Sequence, residues 1–342
     1  MESKMKSASF VSNRSIKEGL EISKQRIEDS LYIYEKYRKS FIRRECPCCG
    51  SRQNREHDRF HNTYVIVKCM RCASLFVNPC PGPDALEDYY SNCLCNALNR
   101  RLWEKRKKKK SSAYILDERI RVLEQLFKKI TKKPVRILEI GSGSGTFLER
   151  IRTLFPGQDM ELLGVDLDRN AAALARDKGL NVVHGNIESM IRDKRKRFQI
   201  IMHFELIEHL VHPIEFLSHC FKLLDRNGFL IFTTPNGDGL DNMSIGYNYP
   251  DRMMAHSLYP PMHLNSYNTK NIYHLLLSQG YKIVQISTPG RLDVDIISVH
   301  DSPVIDPVYR WVVPLPGEVR SAVQDLISRL NASAHMLVVA QK

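Results

Sequence analysis

Residues 135–147 read VRILEIGSGSGTF: an apolar strand runs into three glycines at alternate positions and then into a helix, TFLERIRTLF. Few features restrict a fold as much. A glycine-rich turn between strand and helix lets backbone N–H groups approach a ligand closely, because no Cβ stands in the way. A second strand, ELLGVD, ends on Asp166, an acid placed to accept both hydroxyls of a ribose. A third, NVVHG, leads to Asn186 and Ile187, an amide and an aliphatic able to frame an adenine. A fourth, FQIIMHF, ends at Phe204, and a fifth, GFLIFTTP, follows a helix over 213–224. A helix over 269–279, a sixth strand, YKIVQIST, an amphipathic helix over 317–330 and a last strand, HMLVVAQ, complete the chain. Strands alternating with helices imply an α/β fold with a doubly wound, mostly parallel sheet.

The glycine spacing separates nucleotide classes. A dinucleotide fold uses G-x-G-x-x-G, whereas this chain has E-I-G-S-G-S-G, with Glu139 two residues before Gly141. That pattern resembles motif I of the class I S-adenosylmethionine-dependent methyltransferases. The segment FELIEHLVHPIEFL (204–217) is similar to the stretch after strand four in the ubiquinone-type and related small-molecule methyltransferases. KLLDRNGFLIFTTPN (222–236) extends the likeness, which covers residues 135–342. The resemblance implies a Rossmann-like, seven-stranded methyltransferase sheet whose last strand inserts antiparallel, with S-adenosylmethionine as cofactor. It implies that the neighbourhood of Glu139, with Gly141, Gly143 and Gly145, receives the amino-acid end of that cofactor. Asp166, beside Leu167, would hold the ribose. His203, on the fourth strand, joins the cofactor set, although a structural role for it and for His212 is the plainer reading of the residues alone.

Upstream, Cys46 and Cys49 form one C-x2-C and Cys69 and Cys72 a second, with nineteen residues between the pairs. Two such pairs let four thiolates converge on one tetrahedral Zn²⁺. Four cysteine ligands leave no open position, so the expected zinc is structural. Cys48 ranks below its neighbours as a ligand, because only C-x2-C matches the partner pair. Cys80, Cys93, Cys95 and Cys220 read as plain thiols. The ribbon and the LFVNPCPGPDALEDYY that follows also resemble the N-terminal module of bacterial methyltransferases acting on sugars and secondary metabolites. A helix over 16–44 precedes the ribbon, Asp84 caps a short helix after it, and an amphipathic helix over 111–130 leads into the main domain. The expected division is 1–44 helical, 45–95 zinc ribbon with its following helix, 96–134 basic linker and helix, and 135–342 methyltransferase.

Methyl transfer needs an acceptor aligned with the methyl and, for a hydroxyl acceptor, a base. Glu205, Glu208 and His209, in E-x-x-E-H at the end of the fourth strand, are the first candidates. On a helical turn i and i+3 share a face with i+4 beside them, a set that can hold Mg²⁺ or supply a base. E-x-x-E-H matches the metal-binding segment of ubiquinone-pathway and small-RNA 2′-O-methyltransferases. His263, in YPPMHLNSYN, is a further candidate for base, metal ligand or substrate contact. Tyr247, Tyr249 and Tyr259 read as packing before pocket lining. Asp293 and Asp295 read as solvated strand acids.

Charge is lopsided. Residues 1–134 carry 30 Lys and Arg against 16 Asp and Glu, a net of +14, while residues 135–342 carry 21 against 22. The run RRLWEKRKKKK (100–110) suits a solvated face or an anionic partner. Nine cysteines in 342 residues, without an apolar leader, suggest reduced thiols in a cytoplasmic protein. No apolar run is long enough to span a bilayer. The sequence therefore predicts a zinc-ribbon methyltransferase acting on a hydroxyl or carbon of a small metabolite, such as a sugar or natural-product intermediate. An Mg²⁺-dependent RNA 2′-O-methyltransferase and a non-catalytic zinc-ribbon adaptor are its alternatives. Oligomeric state is not legible.

Overall fold

The computed structural model describes residues 16–95, 98, 113–192, 196–240, 257–290 and 315–342. The basic run 100–110, Tyr247, Tyr249, Asp293 and Asp295 lie outside the described residues. The chain divides into two compact units, each built from separate stretches of sequence.

The first unit comprises residues up to Tyr114 with Pro235–Asn271 and Thr288–Met336. Helix α1 (Ile16–Tyr37) is followed by a 3₁₀ turn, Arg38–Ser40. The helix thus stops short of the expected residue 44. The reason is tertiary: Ile42 exchanges two backbone hydrogen bonds with Cys80, each 2.9 Å, which requires extended backbone there. Strands β1 (Asn54–Phe60), β2 (Tyr64–Cys69), β3 (Leu75–Val77) and β9 (Asn265–Ser266) form a four-stranded sheet in that order. Strand β1, NREHDRF, has no apolar alternation to betray it in the sequence. Helix α2 (Pro83–Asn92) starts at a Gly82 cap with Pro83 in its first turn, so Asp84 sits inside the turn rather than capping it. Asp88 on α2 anchors α1, accepting from Tyr32 (3.0 Å), Lys36 (2.8 Å) and Tyr37 (2.9 Å). Helix α9 (Gly317–Arg329) also belongs to this unit.

The second unit holds Ile115–Thr234, Ile272–Ser287 and Leu337–Lys342. Its strands are β4 (Val135–Ile140), β5 (Met160–Asp166), β6 (Val182–His184), β7 (Phe198–Phe204), β8 (Leu224–Pro235), β10 (Lys282–Ser287) and β11 (His335–Gln341). They lie in the order β10-β11-β8-β7-β4-β5-β6. The pairs β4·β5, β4·β7, β5·β6 and β7·β8 are parallel, and β10·β11 is antiparallel. This is the doubly wound Rossmann-like methyltransferase sheet expected from sequence. The centre strands are buried on both faces, which is why VRILEI and FQIIMHF read as continuous apolar runs. Helices α3 (Ala113–Lys129), α4 (Thr146–Leu154), α5 (Arg169–Asp177), α6 (Ile187–Ile191), α7 (Pro213–Leu223) and α8 (Thr269–Ser278) accompany the strands. Phe147, Leu148 and Ile151 of α4 and Leu123, Leu126 and Phe127 of α3 pack with Ile137, Ile200, Met202 and Ile231 of the sheet. No helix among the described residues is long and apolar enough to cross a membrane.

Gly164, within β5, is packed closely on several sides. A Cβ there would meet Ser142 Oγ at 2.5 Å, Val182 Cγ2 at 2.8 Å and Leu148 Cδ1 at 3.0 Å, atoms of three different elements. Gly164→Ala is therefore expected to lower unfolding stability by about 1–3 kcal/mol, read by chemical denaturation, because no single neighbour can move aside.

Candidate functional site

Two constellations carry chemistry, one in each unit. In the second unit the β4–α4 turn leaves the sheet at its carboxyl edge. Gly141, Gly143 and Gly145 all have left-handed backbone, with φ of 73°, 52° and 70°. At Gly145 a Cβ would strike Leu180 Cδ1 at 2.5 Å, whereas at Gly143 it would meet nothing within 4 Å. The first glycine is a packing requirement; the second faces open space. Gly141 and Ser142 donate to the Val165 carbonyl at 2.8 and 3.2 Å, locking the turn against β5.

Asp166 organises both turns. Its Oδ2 accepts from Gly143 N at 2.6 Å and its Oδ1 from Asp168 N at 2.8 Å. Burial pushes its carboxyl pKa up, while those two N–H groups pull the other way. Asp168 then caps α5, accepting from Asn170 and Ala171. Leu167, between these half-buried acids, is 73% exposed. Asn186 caps α6 by accepting from Ser189 N at 3.1 Å, which leaves its amide nitrogen end for a ligand. Ile187 is buried, so the exposed aliphatic on this edge is Leu167.

Glu139 is 4% exposed and its Oε2 has no hydrogen-bond partner among the described residues. Burial pushes its pKa up to about 8; the Arg119 guanidinium opposes this and the Asp166 carboxylate reinforces it. Ser142 Oγ is likewise buried and without a hydrogen-bond partner among the described residues. Sequence reasoning missed Arg119. It donates to Thr233 Oγ1 at 2.9 Å and stacks 4.0 Å above the Phe204 ring, with Glu139 and Glu205 as its charge neighbours. A signal existed: Ile115, Leu123 and Leu126 define the apolar stripe of α3, and Arg119 occupies the position four after Ile115 and four before Leu123.

The E-x-x-E-H segment does not form the helical turn expected. Glu205 has φ 50°, and a 3₁₀ turn begins only at Ile207, so Glu205 and Glu208 do not share a helix face. Glu205 does not join Glu208 and His209 in a group of converging ligand atoms among the described residues. Glu208 is fully buried and accepts from Thr234 Oγ1 at 2.9 Å; His209 Nε2 lies 3.7 Å from its other oxygen. His203 belongs to the core. Its ring has no exposure, stacks on Phe232 at 4.7 Å and meets Phe216 edge-on at 5.1 Å. Burial pushes its pKa down to about 3 against the pull of Glu205, and neither ring nitrogen has a hydrogen-bond partner among the described residues. This neutral imidazole presents no surface to a cofactor, which corrects its place in the expected cofactor set.

In the first unit the sulfurs of Cys46, Cys49, Cys69 and Cys72 all lie within 4.8 Å of one another. Cys46 and Cys72 are 3.5 Å apart and Cys49 and Cys69 3.6 Å. Ser74 Oγ bridges Cys46 and Cys72 at 3.2 and 2.8 Å. Cys48 Sγ instead donates to the Asn271 carbonyl at 3.2 Å. His263, also in this unit, pairs with Tyr259 through two backbone hydrogen bonds, of 2.9 and 3.1 Å.

The family whose description is Methyltransferase domain matches residues 102–286. The chain belongs to that family. A ubiquinone biosynthesis O-methyltransferase of Coxiella burnetii is 30% identical over 137 residues, 39% of this chain and 56% of the relative. One of Maricaulis maris is 31% identical over 108 residues, 30% of this chain and 41% of the relative. The chain thus spans about half the length of the curated relatives it matches. Among solved structures, a SAM dependent methyltransferase from Archaeoglobus fulgidus aligns with 70% of this chain and 99% of its own, at 21% identity and a TM-score of 0.47.

The buried Glu139 carboxyl gives this methyltransferase domain a pH signature. Between the ordinary 4.5 and about 8 the folded protein holds a proton that the unfolded chain has lost. Stability must therefore fall as pH rises through that window. Glu139→Gln is expected to flatten that fall, read as melting temperature against pH in the absence of ligands.

Proposed function

We propose that this chain is a class I S-adenosylmethionine-dependent methyltransferase whose acceptor is a hydroxyl or carbon of a small metabolite. The observation that carries the reading is the edge built by Gly143, Asp166 and Leu167, beside the orphaned buried oxygens of Glu139 and Ser142. The residues fit the cofactor. Asp166 has carboxylate lone pairs for two ribose hydroxyls, Leu167 an apolar face for the adenine, and the Asn186 amide a donor at its rim. Arg119 offers its guanidinium to a carboxylate, and Glu139, whose carboxyl burial keeps protonated up to about pH 8 in the empty site, would partner an ammonium on losing that proton. When bound, the cofactor supplies an electrophilic methyl on a sulfonium. The chain's own part is to hold that end of the site dry and charged, and to align the acceptor and accept its proton.

For the proton, His209 is the proposed base in the second unit. Glu208 sits 3.7 Å from its Nε2 and favours the imidazolium that proton uptake creates. Glu208, being buried and held by Thr234, positions His209. Glu205 is proposed to face Arg119 electrostatically rather than to bind metal. His263 is retained, on its sequence context, as an acceptor contact. The Glu205, Glu208 and His209 set is not proposed as an Mg²⁺ site, because Glu205 does not converge with the other two among the described residues.

The cysteine quartet fits a structural Zn²⁺. A tetrahedral site with Zn–S near 2.3 Å places sulfurs about 3.8 Å apart, close to the 3.5 and 3.6 Å found here. An RNA acceptor is the second reading, favoured by the +14 of residues 1–134. It would appear as steeply salt-dependent RNA binding.

Calorimetric titration of S-adenosylhomocysteine into zinc-loaded protein tests the proposal. Binding is expected, and Asp166→Ala should weaken it by about 10–100-fold, the loss of hydrogen bonds to a charged group. His209→Ala should leave that affinity unchanged while abolishing turnover of a hydroxyl acceptor. A folded chain that binds no cofactor would sink the enzyme reading and favour the adaptor.

A further inference from the structure

The four-cysteine module and the segment that carries His263 are one structure. Strand β9, residues 265–266, is the fourth strand of the ribbon sheet, with Leu75 opposite Ser266 and Phe76 opposite Asn265. One residue earlier, the Leu264 carbonyl accepts twice: from Val77 N at 2.9 Å and from Arg44 Nη2 at 2.9 Å. The same guanidinium donates through Nε to the Val77 carbonyl at 3.2 Å, while Arg44 N donates to Asn78 Oδ1 at 3.1 Å. Arg44 stands two residues before Cys46. A single side chain thus connects the first cysteine turn, β3 and the residue next to His263.

The other end of the segment is held as firmly. Ser30 Oγ on α1 donates to the Pro260 carbonyl at 3.0 Å, and Tyr64 on β2 donates to the Ser30 carbonyl at 2.9 Å. Tyr259 meets Phe60 of β1 edge-on at 5.4 Å and lies under the Arg26 guanidinium at 5.2 Å. Further on, Cys48, inside the first cysteine turn, donates to the Asn271 carbonyl. Leu258, Leu264, Asn265, Ser266 and Tyr267 are all buried. Strand β3, Arg44 and the first cysteine turn thus all engage one stretch of the chain's own backbone.

We propose that the cysteine module is an internal clamp that fixes the backbone on either side of His263, with Arg44 as its joint, so that metal at the cysteines controls acceptor handling without touching the reacting atoms. This rests on the reading of His263 as an acceptor contact. The module sets where that imidazole stands, and every contact that carries the clamp lies within the first unit. Arg44 is a positioning residue. Two of its hydrogen bonds, from Nε and Nη2, end on the main-chain carbonyls of Val77 and Leu264, and through these it acts on the backbone beside His263.

The test uses the full chain, zinc-loaded, zinc-stripped by a chelator, and zinc-restored. Amide hydrogen exchange is followed peptide by peptide, His263 ring resonances by NMR, and S-adenosylhomocysteine affinity by calorimetry. Stripping should speed exchange across 258–267 by at least about tenfold, the scale of one lost charge-assisted hydrogen bond. It should also shift the His263 resonances, leave those of His184 in place, and change cofactor-product affinity by less than about twofold. Zinc return should reverse these effects. Arg44→Gln should retain zinc and give the same changes, strongest at Leu264–Ser266, and Arg44→Lys, which still donates one hydrogen bond, should recover part of the protection. Cys69→Ser should behave as the stripped protein; if it does not fold, Arg44→Gln carries the test.

Exchange across 258–267 that is unmoved by zinc loss, or His263 resonances unmoved in Arg44→Gln, would overturn the clamp. Loss of cofactor-product binding on stripping would overturn the restriction of the clamp's effect to acceptor handling. Failure of the wild-type, zinc-loaded protein to bind S-adenosylhomocysteine would instead strike the proposed function, and the exchange result would still decide whether the module holds the segment.

Discussion

Asp166 terminates β5 with two carboxylate oxygens, and each is already held by a backbone N–H: Gly143 on one side and Asp168 on the other. The first bond fixes the glycine turn that leaves β4; the second starts the turn that leads into α5, which Asp168 then caps. Two neighbouring parallel strands therefore end on a shared anion. A parallel sheet gathers the loops at its carboxyl ends, and the charge there has to be satisfied by backbone donors before any ligand arrives. With one acceptance on each oxygen, the carboxylate still has capacity for two hydroxyls.

The charges behind this edge are less settled. Glu139, Arg119 and Glu205 bring one cation and two carboxyls together under the glycine turn, and burial raises the carboxyl pKa of Glu139 while it depresses the guanidinium. A buried charge without full hydrogen bonding is expensive. On the proposed reading, a ligand carrying both an ammonium and a carboxylate would complete each group at once. Phe204 and Thr233 hold the Arg119 head in position, and both come from strand ends rather than from loops. Groups mounted on strands keep their geometry better than groups on mobile turns.

In the other unit a small sheet borrows its last strand from far along the chain. A ribbon of three short strands has little core of its own, and a fourth strand with buried neighbours extends it. Sequence order and spatial order part company here: the described residues of Pro235–Asn271 and Thr288–Met336 belong to the unit of the N-terminal module although in sequence they fall between strands of the methyltransferase sheet. The polar anchors of this unit, Asp88 under three donors from α1 and Arg44 on two carbonyls, join segments that no local propensity would bring together.

Much of this was legible in the residues. The alternate glycines with an acid on either side, the apolar central strands and the two cysteine pairs each obey a local rule: backbone freedom, two-face burial or ligand spacing. Those rules do not depend on what lies across the fold, so the sheet, its turn and the four converging sulfurs could be read directly. What the residues could not reveal was decided by neighbours distant in sequence. The helix expected to reach residue 44 ends at Tyr37 because Ile42 pairs with Cys80. E-x-x-E-H is not one helical face because Glu205 adopts left-handed backbone as its N–H reaches the Thr233 carbonyl. His203 is a core ring because Phe216 and Phe232 enclose it, and Arg119 is a charge in the site because α3 crosses the sheet with that position inward. Local patterning determined which elements form and where their turns lie. Only the tertiary structure decided which side chains share a volume, because long-range pairing and burial set that, and neither is written in the spacing of neighbouring residues.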